Sequence, residues 1–148
     1  MSLIHEMRYK LMKEAGAPLF MKLSDMMKKK KKPNKSSLFA PQMKASLRLK
    51  EIMTRHYLLA RYAKQAKPVA WVASGAPVEL LRVFDFYTIY PENHGAFCGA
   101  KKIGPLMSSF AEEKGYSPDR CSYARIDLGH LFSGKTPVGK LPTPDLLA

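Results

Sequence analysis

Cys98 and Cys121 are the two thiols of this chain, and no C-x-x-C or H-x-x-x-H spacing accompanies them. A paired metal site of the zinc kind is therefore not written in the spacing. A Walker-type phosphate loop and a nucleophile-elbow serine are also missing. The opening stretch, Met1-Ser-Leu-Ile-His-Glu-Met-Arg, is too charged for the apolar centre of a secretion signal, so a cytoplasmic chain with reduced thiols is expected. Such thiols bury, react or bind metal. The other side chains suited to chemistry, among them Ser74, Glu79, Glu92, Asn93, His94, Tyr123 and Arg125, fall with both cysteines at or after expected strand ends. Sites in open α/β sheets form outside the carboxyl ends of the strands. The placement suggests a site; the spacing alone names no reaction.

The elements that must position these residues are legible from pattern. Residues 3–14 and 19–31 read as short helices rich in Met, Leu and Lys, with Gly16, Ala17 and Pro18 breaking them apart. A flexible link near 28–41 follows. Pro41 opens a longer helix to about Lys64, with Ala45, Leu49, Ile52, Met53, His56, Leu59 and Ala63 on one face. Val69-Ala-Trp-Val-Ala then fits a strand buried on both faces. Ser74-Gly-Ala-Pro makes a turn, a short helix spans Val78 to Phe84, and Phe86-Tyr-Thr-Ile-Tyr is a second strand ended by Pro91. Strand, crossover helix and strand imply a parallel βαβ unit. Two helices are expected afterwards. One covers Pro105 to Lys114, stopping at Gly115. The other begins at Ser117-Pro-Asp with Cys121 in its first turns. Pro142-Thr-Pro-Asp-Leu-Leu-Ala leads into a third buried strand. The fold class expected is α/β: a basic helical arm over 1–67, then a partial parallel-sheet domain of the Rossmann-like kind over 68–148. Because the sheet is only partly built at Ala148, an amino-terminal fragment of a longer protein, or a truncated gene product, is the expectation.

Charge and length narrow the function classes. The chain has 148 residues and a net charge of +13. All of that excess lies in residues 1–67, much of it in Lys28 to Lys32, whereas residues 68–148 balance. A basic block ahead of a neutral domain reads first as a solvated stretch. A nucleic-acid module is the rival, but the lysines lack the interleaved aromatics of a single-strand platform. No apolar run is long enough to span a bilayer.

Several segments together resemble one family. Trp71-Val-Ala-Ser-Gly-Ala-Pro-Val-Glu-Leu-Leu is similar to the P-x-E-L-L segment of the 2-hydroxyacyl-CoA dehydratase and benzoyl-CoA reductase family. Tyr90-Pro-Glu-Asn-His, with Cys98-Gly-Ala behind it, resembles the benzoyl-CoA reductase branch. Gly115-Tyr-Ser-Pro-Asp-Arg-Cys-Ser-Tyr-Ala-Arg, followed by Asp127-Leu-Gly, is similar to the cysteine-bearing segment, and Pro142-Thr-Pro-Asp-Leu-Leu resembles the strand after it. The likeness runs in order from about Lys44 to Ala148.

The resemblance implies a subunit that holds a [4Fe–4S] cluster through cysteine thiolates, paired with a second homologous subunit in a heterodimer. It also implies an ATP-dependent iron–sulfur activator and an acyl-CoA substrate, which loses its 2-hydroxyl group or has its aromatic ring reduced through low-potential one-electron chemistry. Cys121 matches the first cluster ligand, and its place near a helix start suits a negatively charged sulfur. Cys98 matches a cysteine of the reductase-like branch. The remaining ligands are expected beyond residue 148. Glu79 and His94 are the candidate catalytic groups. Each has a plainer reading beside it. Cys121 and Cys98 can be inert thiols, Glu79 an acid offsetting a helix dipole, His94 a satisfied turn histidine, and Arg125 a solvated side chain rather than a phosphate partner. The alternatives to an enzyme are an electron-transfer or accessory fragment of the same family, and the basic nucleic-acid module.

Overall fold

The apolar run after Pro68 forms β1 (Val69–Trp71), and all three of its side chains are buried. The computed structural model describes residues 3–29 and 44–148. β1 is the middle strand of a parallel sheet of order β2-β1-β3, with β2 at Tyr87–Ile89 and β3 at Leu146–Leu147. Val69 pairs with Tyr87, and Ala70 with both Thr88 and Leu146. Helix α4 (Val78–Val83) is the short crossover between β1 and β2. The α/β class and the βαβ unit thus stand as the pattern implied.

Side chains alternate across a strand, so each face of β1 needs its own cover. Val69 and Trp71 pack with Tyr9, Ala17, Tyr57, Leu59 and Ile89 on one face. Ala70 packs with Val72 and Leu81 on the other. The third strand departs from expectation. Its apolar pattern predicts burial, yet Leu146 and Leu147 are 39% and 72% exposed. β3 sits at the sheet edge with β1 as its partner among the described residues. Asp145, just before it, accepts a hydrogen bond from the Val69 amide at 2.8 Å and pairs with Lys64.

The arm also differs from the pattern. Helix α1 (Leu3–Leu11) does not stop at Gly16-Ala-Pro; a wide π turn (Met12–Gly16) carries it into α2 (Ala17–Lys29). The Ala17 amide donates to the Met12 carbonyl, five residues back. A proline inside a helix lacks a donor and crowds the carbonyl four residues earlier. One extra residue in the turn absorbs that conflict without ending the helix. The expected link near 28–41 lies largely outside the described residues, as do Lys30 to Lys32.

Helix α3 (Lys44–Ala66) has the expected extent, and Leu59 and Ala63 of the expected face are buried, but the amino-terminal part of that face is not. Leu49 and Ile52 are 59% and 53% exposed, whereas Tyr57, Ala60, Ala63 and Ala66 are buried. Only its carboxyl-terminal half meets the sheet. There the alanines let the helix axis come close.

After β2 there are three helices, not two. Helix α5 (Pro91–Ala100) escapes the pattern because Pro91, a stop signal in sequence, occupies the first helical turn. Gly95 and Gly99 also lower its apparent propensity. Helix α6 (Gly104–Glu112) matches its expectation. Helix α7 (Ser122–Ser133) starts later than Ser117. The Ser117 hydroxyl accepts the Asp119 amide at 3.2 Å, and the Arg120 amide returns to the Ser117 carbonyl. That closes a separate turn, and the chain resets at Cys121 with ψ of 130° before helix begins.

Helices α6 and α7 touch at Gly129, where a Cβ would stand 1.8 Å from the Met107 carbonyl oxygen. Helix α7 ends at Gly134, whose φ of +68° suits glycine. His130 then pins the loop that follows. Its Nδ1 donates to the Lys135 carbonyl at 2.9 Å, and its Nε2 accepts the Leu141 amide at 3.3 Å. Both bonds together require the neutral ring. Burial holds the His130 pKa below its usual value. A histidine with a depressed folded pKa stabilises the fold above its unfolded pKa, and that contribution is lost as pH falls through the folded value. Urea midpoints should therefore drop as pH is lowered from 7 through the ordinary histidine range, and His130→Gln should flatten that dependence. A variant with the wild-type slope would contradict this account.

Candidate functional site

The carboxyl ends of β1 and β3 open onto a cleft of about 500 Å³. Its floor is Trp71, Val72 and Leu147, and the Ala73 amide bonds the Ala148 carbonyl at 2.8 Å beside it. Trp71 itself is 6% exposed and anchored by its indole N–H to the Pro142 carbonyl at 3.0 Å. One wall is the start of α5, Pro91 and Glu92; the other is the start of α7, with Cys121, Tyr123 and Asp127. A strand end flanked by two helix starts is where an open α/β sheet places its ligands.

The structure separates the two cysteines. Cys121 caps the amino end of α7 without a side-chain cap bond, is exposed, and lines the cleft. Cys98 is fully buried in a packed cluster with Met107 and Ile126. Burial first, and the nearby Asp127 charge second, push its thiol up to about 11. Cys98 is not part of the cleft lining.

His94, a candidate acid or base, lies fully buried behind the cleft wall. Its Nδ1 meets Asp127 Oδ1 at 2.6 Å, its Nε2 meets Thr136 Oγ1 at 2.8 Å, and Cys98 Sγ stands 3.5 Å from Nε2. The His130 ring is close by, with centroids 5.1 Å apart. Burial raises the Asp127 pKa, against the hydrogen bond and charge of His94, which lower it. Glu79 stands exposed in the first turn of α4 and does not line the cleft. That matches its plainer reading as a helix-start acid. Arg125 is tied to Glu112 and donates to the Arg120 carbonyl at 3.2 Å, so it is engaged within the chain. Asn93 donates to the Tyr57 hydroxyl at 3.1 Å.

Sequence reasoning missed Asp127 and Thr136 as site groups. Their partner His94 is 33 and 42 residues away in sequence, so no local spacing reveals the trio. The one available signal was an aspartate at a helix position flanked by buried Ile126 and followed by Gly129. Among the described residues no three His, Cys, Asp or Glu side chains come together as a metal-binding group. No described helix is long and apolar enough to cross a membrane.

No protein-family model matches the chain. Individual proteins do. The alpha subunit of (R)-2-hydroxyisocaproyl-CoA dehydratase from Clostridioides difficile is 40% identical over 100 residues, covering 67% of this chain and 24% of that protein. The (R)-phenyllactyl-CoA dehydratase alpha subunit of Clostridium sporogenes is 36% identical over 107 residues, 72% of this chain and 26% of that protein. A benzoyl-CoA reductase subunit from Thauera aromatica is 32% identical over 102 residues, 66% of this chain and 24% of that protein. The chain spans about a quarter of the length of the curated relatives it matches.

Proposed function

Since this chain belongs to the 2-hydroxyacyl-CoA dehydratase and benzoyl-CoA reductase family, we propose that it forms the cleft-bearing part of a subunit that removes water from a 2-hydroxyacyl-CoA. The observation that carries the reading is the exposed Cys121 thiol at the mouth of a cleft built on strand ends. Dehydration is preferred over ring reduction because the dehydratase subunits are the more similar relatives.

The [4Fe–4S] cluster that the family reading implies would take one ligand from this cleft. Cys121 offers an exposed sulfur, free of any cap bond, at the amino end of α7, the positive end of the helix dipole. Cys98 is turned into the core against His94 and suits packing better. The other thiolates would come from outside the described residues. Bound there, a cluster supplies one-electron chemistry at low potential. The chain's own residues shape the space for the acyl group: Trp71, Val72 and Leu147 give an apolar floor that excludes water beside the reacting end. As subunits of the relatives do, this one would work with a second subunit, and an ATP-driven iron–sulfur activator would deliver electrons.

The test is anaerobic reconstitution of the natural polypeptide with its partner subunit and activator. Iron and sulfide bound to this subunit, with water lost from a 2-hydroxyacyl-CoA, are the expected result. Absence of iron from the complete assembly would overturn the reading.

A further inference from the structure

The polar trio behind the cleft is aimed in one direction. The Val138 amide donates to Thr136 Oγ1 at 3.3 Å, and Thr136 Oγ1 lies 2.8 Å from His94 Nε2. With its hydroxyl proton on that bond, Thr136 makes Nε2 an acceptor, and the ring proton then sits on Nδ1, 2.6 Å from Asp127 Oδ1. Each bond thus points towards the Asp127 carboxylate. Oδ1 is committed to His94, while Oδ2 has no hydrogen-bond partner among the described residues. Asp127 lines the cleft although its side chain is only 8% exposed. A carboxylate oriented from behind by a histidine, with one oxygen left to the cavity, is the arrangement of a general base.

We propose that Asp127 is the cleft's acid–base residue, with His94 and Thr136 as its positioning residues, and that it handles the carbon-bound proton of the acyl-CoA substrate. This rests on the dehydratase reading. In the net reaction a 2-hydroxyacyl-CoA becomes a 2-enoyl-CoA and water, and no electrons are gained or lost overall. The C3–H bond breaks and an O–H bond forms on Asp127 Oδ2. Asp127 Oδ2 takes that proton after the 2-hydroxyl group has left C2 as hydroxide by the one-electron chemistry of the dehydratase reading. The electron borrowed for that loss is returned as the C2–C3 double bond is completed. The proton on Oδ2 then passes to that hydroxide, giving water and restoring the carboxylate.

The proposal reassigns two features of the sequence. His94, expected to act on substrate directly, acts through Asp127. Asp127, present only as part of a motif, carries the chemistry. The titratable groups around Asp127 are His94 and Cys98 of α5, Tyr57 of α3, His130 on its own helix, Cys121 and Tyr123 on its own cleft wall, and Glu92 on the opposite wall. Of these, His94 acts directly on Asp127 and holds its pKa down against burial.

The experiment uses the complete holoenzyme, with wild type, Asp127→Asn, Asp127→Glu and His94→Gln compared for iron content, kcat, KM, the pH profile of kcat/KM, and deuterium uptake at C3 from heavy water. Asp127→Asn should lower kcat by about 100-fold or more and abolish C3 exchange, while iron content and KM stay within about threefold. His94→Gln should move the acid limb of kcat/KM to higher pH, because it removes the group that lowers the Asp127 pKa; a purely structural histidine would leave the limb in place. Asp127→Asn with wild-type kcat and C3 exchange would overturn the proposal. If that variant fails to assemble, Asp127→Glu decides: a displaced acid limb supports the proposal and an unmoved one overturns it. A wild-type assembly that dehydrates no 2-hydroxyacyl-CoA would instead sink the functional reading on which the proposal stands.

Discussion

Cys121→Ser in the full assembly is expected to empty the iron–sulfur site proposed at Cys121 while leaving the fold intact or slightly firmer. Cys121 is exposed, and it caps α7 with no side-chain hydrogen bond. Serine is a far better cap, because its hydroxyl accepts an amide of the first turn; a gain of about 0.5–1 kcal/mol is the scale of such a change. Metal binding responds the other way. An alcohol is a poor substitute for a thiolate at iron, and losing one cysteine ligand exposes the cluster to solvent and oxygen. Iron analysis and the urea midpoint of the same preparation separate the two effects. The expected pair is iron below about a tenth of wild type with an equal or higher midpoint. Full iron retention in both Cys121→Ser and Cys121→Ala would remove Cys121 from the ligand set. Loss of iron together with a collapsed midpoint would make the cysteine structural.

Gly129→Ala should be the most damaging single methyl group in this chain. The added Cβ would lie 1.8 Å from the Met107 carbonyl oxygen and 2.6 Å from its carbon. These are backbone atoms, so no rotamer change relieves the clash, and α6 and α7 must part. Overpacking costs about 1–3 kcal/mol where side chains can yield; here the upper end, about 3 kcal/mol or more, is expected. Separation of the helices would also open the Cys98, Met107 and Ile126 cluster and displace Asp127, two residues from the lesion. Gly75→Ala serves as the control, since a Cβ there meets nothing within 4 Å, and its effect should stay within about 0.5 kcal/mol. Equal urea midpoints for the two variants would refute the assignment of Gly129 as a contact glycine.

The closeness of that helix crossing also explains why the site resists reading in one dimension. Helix α7 holds Cys121 at its start and Asp127 two turns later, so one rigid element sets both a candidate ligand and a candidate base against the cleft. Helix α5 holds His94 against it from the other side. Moving either helix by an ångström would break a 2.6 Å bond and leave Asp127 buried without a partner.

Elements whose signals are local could be read along the chain. Val69-Ala-Trp-Val-Ala fits a buried strand, because five consecutive apolar residues between Pro68 and a Ser-Gly-Ala-Pro turn need cover on both faces. Phe86 to Tyr90 and the short crossover implied a parallel βαβ unit, and Ser117-Pro-Asp put Cys121 near the start of a helix, although it closes a turn and Cys121 itself is the cap. The motifs also pointed to the family. The remainder depends on packing, for reasons of distance. Spacing could not say which half of α3 meets the sheet, so it puts Leu49 and Ile52 inside although they are exposed. It could not tell that Pro91 opens a helix or that a π turn carries α1 past Pro18, because proline is compatible with both a stop and a first or widened turn. It treats Cys98 and Cys121 alike, whereas folding sends one into the core and the other to the cleft. The Asp127–His94–Thr136 trio lies furthest from any one-dimensional signal. It joins residues from three segments by hydrogen bonds that exist only once α5, α7 and the loop after Gly134 have packed together.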